Sequence, residues 1–247
     1  MNNIGQPERA TQNRVITLFR EELGYRYLGD WRDRDGNSNI EEQSLTTYLT
    51  NCGYTPVQIS SALYKLHTEA DNHNRGLYGN NQAVYNLLRY GVPVKIEAGK
   101  VAETVHLINW KEPAQNHFAI AEEVTLRGNL ERRPDLVLYV NGIAVGVLEL
   151  KNSRVTIGDG IRQNISNQQP EFNQWFFSTV QFIFAGNDSE GLQYGTIGTE
   201  EKYFLRWKED EEDNSRFISS LDSFIPKWQF YRDALNRLPV RHEDWVY

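Results

Sequence analysis

Residues 132–152 read RRPDLVLYVNGIAVGVLELKN, two apolar runs of strand length joined at Asn141-Gly142. The runs are rich in Val, Ile, Leu and Tyr, and Asn-Gly between such runs is the strongest short-range hairpin signal, because both residues of the tight turn need positive φ. An antiparallel hairpin is predicted. Each of its strands carries an acid where a buried strand favours valine: Asp135 in the first, Glu149 in the second, with Lys151 two residues on. Side chains alternate along a strand, so Glu149 and Lys151 share one face, while Leu148 and Leu150 take the other. Val145 and Val147 are expected on the face of Glu149, so the acid emerges from an apolar surface, where an uncompensated carboxylate is costly. A hairpin whose exposed edge carries a local Glu-Lys pair fits the same periodicity.

The turn decides where Asp135 points. A two-residue loop pairs Val140 with Ile143 and Asp135 with Leu148, which puts the carboxylates on opposite faces. A three-residue loop, Val140 to Gly142 with a left-handed glycine in a bulge, pairs Asp135 with Val147 and returns it to the face of Glu149. A joint role for the two acids therefore requires a bulge or a local strand bend. Converging carboxylates repel, and the remedies are a shared proton or a bound cation. All-oxygen ligation with water retained suits Mg²⁺, with Mn²⁺ as a substitute. The Lys151 ammonium two residues along can orient an attacking water and stabilise charge developing on a phosphate. These residue types in this pattern point to phosphodiester hydrolysis.

Pro134-Asp135, followed fourteen positions later by Glu149-Leu150-Lys151, resembles the PD-(D/E)xK nuclease motif. The flanking text sharpens the likeness. HLINWKEPAQNHFAIAEEVTL (106–126), RRPDLVLYVNGIAVGVLELKNS, IRQNISN (161–167) and GTIGTEEKYFLRWKE (195–209) together resemble the N-terminal endonuclease region of the restriction subunit of type I restriction-modification enzymes. The likeness thins before about residue 75 and after about residue 225. It implies an α/β fold with a PD-(D/E)xK restriction-endonuclease-like core, a mixed sheet flanked by helices, and a helical N-terminal part. It also implies that Asp135 and Glu149 bind Mg²⁺ and that Lys151 is the catalytic lysine. Many members of the family add a glutamine on the following helix and a tyrosine four residues later; Gln163 matches the glutamine, and Asn167 stands in the tyrosine's place. Arg162 and Arg154 are candidate DNA contacts, Arg162 with the alternative of a solvated helix cation.

The function so implied is cleavage of unmodified double-stranded DNA, coupled to translocation by an ATP-driven motor domain outside this chain. Methyltransferase and specificity subunits would be its partners. Two rivals stand beside it: a non-catalytic docking scaffold of the same fold, and another PD-(D/E)xK nuclease such as a DNA repair enzyme.

Along the chain, NRVITLFREELG (13–24) has helical spacing, with Asn13 as a possible cap and Gly24 as a stop. Helices are also predicted from Ile40 to Thr50, after Thr55-Pro56, and over NNQAVYNLLRYG. Strands follow at VPVKIEA, ETVHLINW and HFAIAEEVTL, then the hairpin, a helix from about Gly158 to Asn167, and the strand STVQFIFAGN. The expected organisation is a mainly helical part at 1–92, a nuclease core at 93–225 and a helical segment at 226–247 leading toward a motor domain. PEFNQWFF (170–177) reads as a core-packing turn. Glu122 and Glu123 read as an exposed edge, and Glu21, Glu22 and Glu69 are equally placed candidates for a helix glutamate completing the site.

At 247 residues the chain can bury a sizeable core. One cysteine, Cys52, rules out an internal disulfide and suits a reducing compartment, so a cytoplasmic location is expected, with no membrane span or secretory leader. The histidines lack zinc-site spacing, and no G-x-x-x-x-G-K-[ST] loop occurs. The net charge of −7 argues against strong autonomous DNA binding, although Arg132, Arg133, Lys151, Arg154 and Arg162 surround the motif.

Overall fold

The computed structural model describes residues 6–206 except 97–100, 153 and 188. The segment expected to be helical at 226–247 lies outside the described residues. Near the N-terminus come α1 (Gln6–Glu21), β1 (Arg26–Asp30), α2 (Glu42–Asn51), α3 (Pro56–Ala70), α4 (Leu77–Tyr90), β2 (Val92–Val94) and β3 (Glu103–Val105). The remainder holds β4 (Phe118–Glu122), β5 (Leu136–Val140), β6 (Ile143–Lys151), α5 (Ile157–Asn167), β7 (Phe182–Asn187), β8 (Gly191–Gly195) and β9 (Leu205–Arg206). α3 starts where Thr55-Pro56 predicts: Thr55 and Gln58 form a capping box and Pro56 opens the helix. α1 begins well before Asn13. Its polar first turns are drawn into the fold by contacts with distant acids, which helical periodicity does not register.

Seven strands form one mixed sheet in the order β1-β4-β5-β6-β7-β8-β9; β2 and β3 make a separate pair. β1 runs parallel to β4, β6 runs parallel to β7, and the other neighbours are antiparallel. The sequence reading missed β1, a half-exposed strand at the sheet edge, and the short β8 and β9. All of β5 and every residue of β6 except Lys151 are buried, as in a sheet covered on both faces. Val15, Ile16 and Phe19 of α1 pack with Leu136, Leu138, Leu148 and Leu150 on one face. Ile157 and Ile161 of α5 pack with Val137, Val147, Phe176 and Phe177 on the other. Phe176 and Phe177 are core residues, as the 170–177 stretch predicts. Helices α2 to α4 form a third cluster against the turn end of the hairpin. Among the described residues no helix is long and apolar enough to cross a membrane.

The hairpin has a two-residue turn, pairing Val140 with Ile143, and the three-residue alternative does not occur. Asn141 (φ 53°) and Gly142 (φ 88°) take the left-handed conformations the turn needs. The Asn141 side chain fixes it by accepting from the His117 N–H at 2.7 Å and donating to the Leu107 carbonyl at 2.9 Å. The bulge lies further along. Tyr139 pairs with Ala144 but Leu138 pairs with Gly146, so Val145 is the extra residue. From there Val137 faces Val147 and Leu136 faces Leu148, and the same register carried one residue further sets Asp135 opposite Glu149. The bulge also parts Val145 from Val147: Val145 joins the helical cluster, and Val147 stays in the cluster packed under α5.

Candidate active site

Asp135 closes the loop into β5, while Glu149 and Lys151 end β6. The two halves of the motif are joined through the main chain, because the Leu150 N–H donates to Asp135 Oδ2 at 2.6 Å. Lys151 Nζ lies 3.7 Å from Glu149 Oε2. α5 covers this face closely at Gly160, where a Cβ would stand 3.2 Å from Ala185 Cβ and 3.5 Å from Lys151 Cγ.

Both acids are held away from their ordinary ionisation. Burial pushes Asp135 up to about 6, against the opposing pull of Lys151 and the Leu150 N–H. Glu149 is fully buried, and burial followed by the charge of Asp135 raises it well above the usual carboxylate range, with Lys151 opposing. Glu149 Oε2 meets no hydrogen-bond donor. A buried carboxylate oxygen without a donor is costly, and a divalent cation relieves that cost while removing the repulsion between the acids. Among the described residues no group of three His, Cys, Asp or Glu side chains forms a ready-made cage. Two carboxylates as the protein donors would fit Mg²⁺, which keeps waters and takes phosphate oxygens as its remaining ligands.

The N-terminal turns of α1 supply residues that the sequence reading missed. Glu8 Oε1 is 4.0 Å from Lys151 Nζ. Gln12, one turn on, points its Nε2 at the Asp135 carbonyl (3.3 Å), Glu122 Oε2 (3.2 Å) and Glu123 Oε1 (3.3 Å). Of the glutamates weighed from sequence, Glu21 and Glu22 line a shallow groove at the far end of α1, and Glu69 pairs with Arg75. Glu8, Arg9 and Gln12 sit at i, i+1 and i+4 ahead of the apolar stripe, and that polar cluster was the available signal.

Glu122 and Glu123 are not on an exposed edge. β4 lies between β1 and β5, and Glu122 accepts from Arg9 at 2.5 Å, from Gln12 and from the Tyr27 hydroxyl. Glu123 binds Arg133 Nε at 2.7 Å, and its N–H donates to the Asp135 carbonyl at 2.9 Å. This paired network backs Asp135.

Beyond the central three, the candidates disperse. Gln163 is half-buried on α5, and Arg154 is exposed in the turn after β6. Arg162 is exposed and bridges Asp159 (2.6 Å) and Glu201 (2.5 Å). Asn167 is buried, and its Nδ2 donates to Glu149 Oε1 at 3.5 Å.

The fold and this face can be set beside known proteins. Residues 5–202 match the family described as type I restriction enzyme R protein N terminus. The type I restriction enzyme endonuclease subunit assigned by name as MjaIXP of Methanocaldococcus jannaschii is 24% identical over 177 residues, 68% of this chain and 16% of that protein. The subunit assigned as MjaVIIIP of the same organism is 28% identical over 163 residues, 58% of this chain and 16% of that protein. The HindI endonuclease subunit of Haemophilus influenzae is 28% identical over 146 residues, 54% of this chain and 13% of that protein. The chain thus spans less than a fifth of the length of each of these relatives. Because the family match runs from the start of α1 to the turn before β9, the chain belongs to the family of type I restriction enzyme R protein N termini.

Proposed function

We propose that this chain is the DNA endonuclease part of a type I restriction enzyme R subunit, and that β4 to β7 with α5 form its PD-(D/E)xK core. The observation that carries the reading is Glu149: fully buried, one oxygen without a donor, beside Lys151 and tied to Asp135 through the Leu150 N–H. Asp135 and Glu149 hold Mg²⁺, with Mn²⁺ as a substitute. The bound ion supplies Lewis-acid stabilisation of the phosphate and of the leaving oxygen. Lys151 orients the attacking water and offsets charge growing on the phosphate, while α5, packed on Val147, limits access of bulk water. The new bond is water oxygen to phosphorus, and the bond broken is phosphorus to the leaving sugar oxygen. Arg154 and Arg162 are accessory DNA contacts, and Gln163 backs the site from α5. The substrate is unmodified double-stranded DNA. ATP is used by a motor domain in the rest of the longer subunit, and methyltransferase and specificity subunits complete the enzyme in the cytoplasm.

The net charge of −7, with Arg9, Arg32, Arg133 and Arg162 all paired to acids, favours a second reading: a docking scaffold of the same fold without catalysis. Calorimetric titration of Mn²⁺ into this chain and into Glu149→Ala, followed by plasmid nicking, separates the two. Binding that the substitution removes supports the nuclease; no binding to a folded wild-type chain supports the scaffold.

A further inference from the structure

We infer that Asn167 is the positioning residue of Glu149: its buried amide holds one carboxylate oxygen in place so that the other is presented to a divalent cation. The inference rests on the metal-dependent reading of Asp135 and Glu149 above. α5 lies over the face of β6 that carries Val147 and Glu149, and its inner side bears two asparagines almost one turn apart, Asn164 and Asn167. Both are fully buried, and both have an Oδ1 without a hydrogen-bond partner.

They differ in where the amide nitrogen goes. Asn164 Nδ2 donates to the Phe184 carbonyl of β7 at 2.9 Å and so ties the helix to the sheet. Asn167 Nδ2 donates to Glu149 Oε1 at 3.5 Å, a long hydrogen bond that contributes direction more than strength. Glu149 is left with one oxygen facing the amide, while Oε2 makes no hydrogen bond and has the Lys151 ammonium 3.7 Å away. A ligating carboxylate is commonly held by a neutral donor on its other oxygen, and loss of such a partner typically weakens metal affinity by about 10–100-fold. A neutral amide suits the position, since a cation there would compete with the bound ion and a further acid would add repulsion.

The test titrates Mn²⁺ by calorimetry into the 247-residue chain, Asn167→Leu and Asn164→Leu, with thermal melting of each. Asn167→Leu is expected to bind about tenfold or more weakly, because Glu149 Oε1 loses its donor, while its melting curve shows that the variant is folded. Asn164→Leu is expected to melt lower, because the Phe184 carbonyl loses its donor, and its folded form to bind as wild type does. If Asn167→Leu fails to fold, Asn167→Ala supplies the same comparison. Wild-type affinity in the Asn167 variant, or equal weakening in both variants, overturns the inference alone. A folded wild-type chain that binds no Mn²⁺ overturns it together with the metal-dependent reading.

Discussion

The backbone N–H of Leu150 donates to the carboxylate of Asp135 at 2.6 Å, so the residue between Glu149 and Lys151 clamps the acid that precedes the other strand. The two halves of the motif are held in register by the main chain, which engages one oxygen of Asp135. Substitution at position 150 by any residue other than proline leaves the N–H donor in place.

Asp135→Ala, Glu149→Ala and Lys151→Ala, each placed in the complete restriction enzyme, are expected to lower DNA cleavage at least about 100-fold, because the first two remove a carboxylate that would hold the metal and the third removes the ammonium that faces the reacting phosphate. ATP hydrolysis by the same preparations should continue at the wild-type rate. Plasmid linearisation and phosphate release measured side by side check both halves. Retained cleavage by any one variant would sink its assigned role.

Without metal, the site should cost stability in a pH-dependent way. Both carboxyls bind protons more tightly in the folded chain than in the unfolded one, with Asp135 raised from 3.8 to about 6 and Glu149 raised well above its ordinary value, chiefly by burial. A raised folded value means that the contribution is fully present below about pH 4, the ordinary carboxylate range, and is lost as pH rises through the folded values. Melting in chelator should therefore fall between pH 4 and pH 7, with Mn²⁺ restoring it at the upper end. Glu149→Gln removes the buried charge and is expected to stabilise the metal-free chain at pH 7 by about 1–3 kcal/mol. A flat melting profile, or a destabilised Glu149→Gln, would contradict this.

The tight turn should be intolerant of change. A Cβ on Gly142 would stand 2.8 Å from the Glu41 carbonyl oxygen, and the residue's φ is 88°. Gly142→Ala is expected to cost about 1–3 kcal/mol from strain and crowding combined. Asn141→Ala loses the hydrogen bonds to His117 and Leu107, with a similar cost. Denaturant melts report the loss, and the fraction that still folds should bind metal normally.

Arg162 and Arg154 are testable through salt. If each meets one DNA phosphate, its alanine variant should reduce the slope of log affinity against log salt by about one unit, with little effect on sequence preference. An unchanged slope for Arg162→Ala would mean that this side chain serves only to bridge Asp159 and Glu201.

What the sequence by itself determined is what lies within one element or between adjacent ones. Asn141-Gly142 dictated the tight turn because few other pairs adopt left-handed conformations in succession. Strand alternation put Glu149 and Lys151 on one face, and Thr55-Pro56 started α3. The placement of Asp135 opposite Glu149 needed the tertiary structure, because any of several residues in β6 could have been the bulged one; it is Val145, which packs in the helical cluster. What Glu8, Gln12 and Glu122 would meet was not legible, for a related reason. Gln12 reaches Asp135 across 123 positions of chain, and helical periodicity records which residues share a face but not what that face will meet. An acid such as Glu122 looks like surface until Arg9, Gln12 and Tyr27 arrive to satisfy it. Local chemistry fixed the parts that carry the charge, and long-range packing decided which of those charges converge.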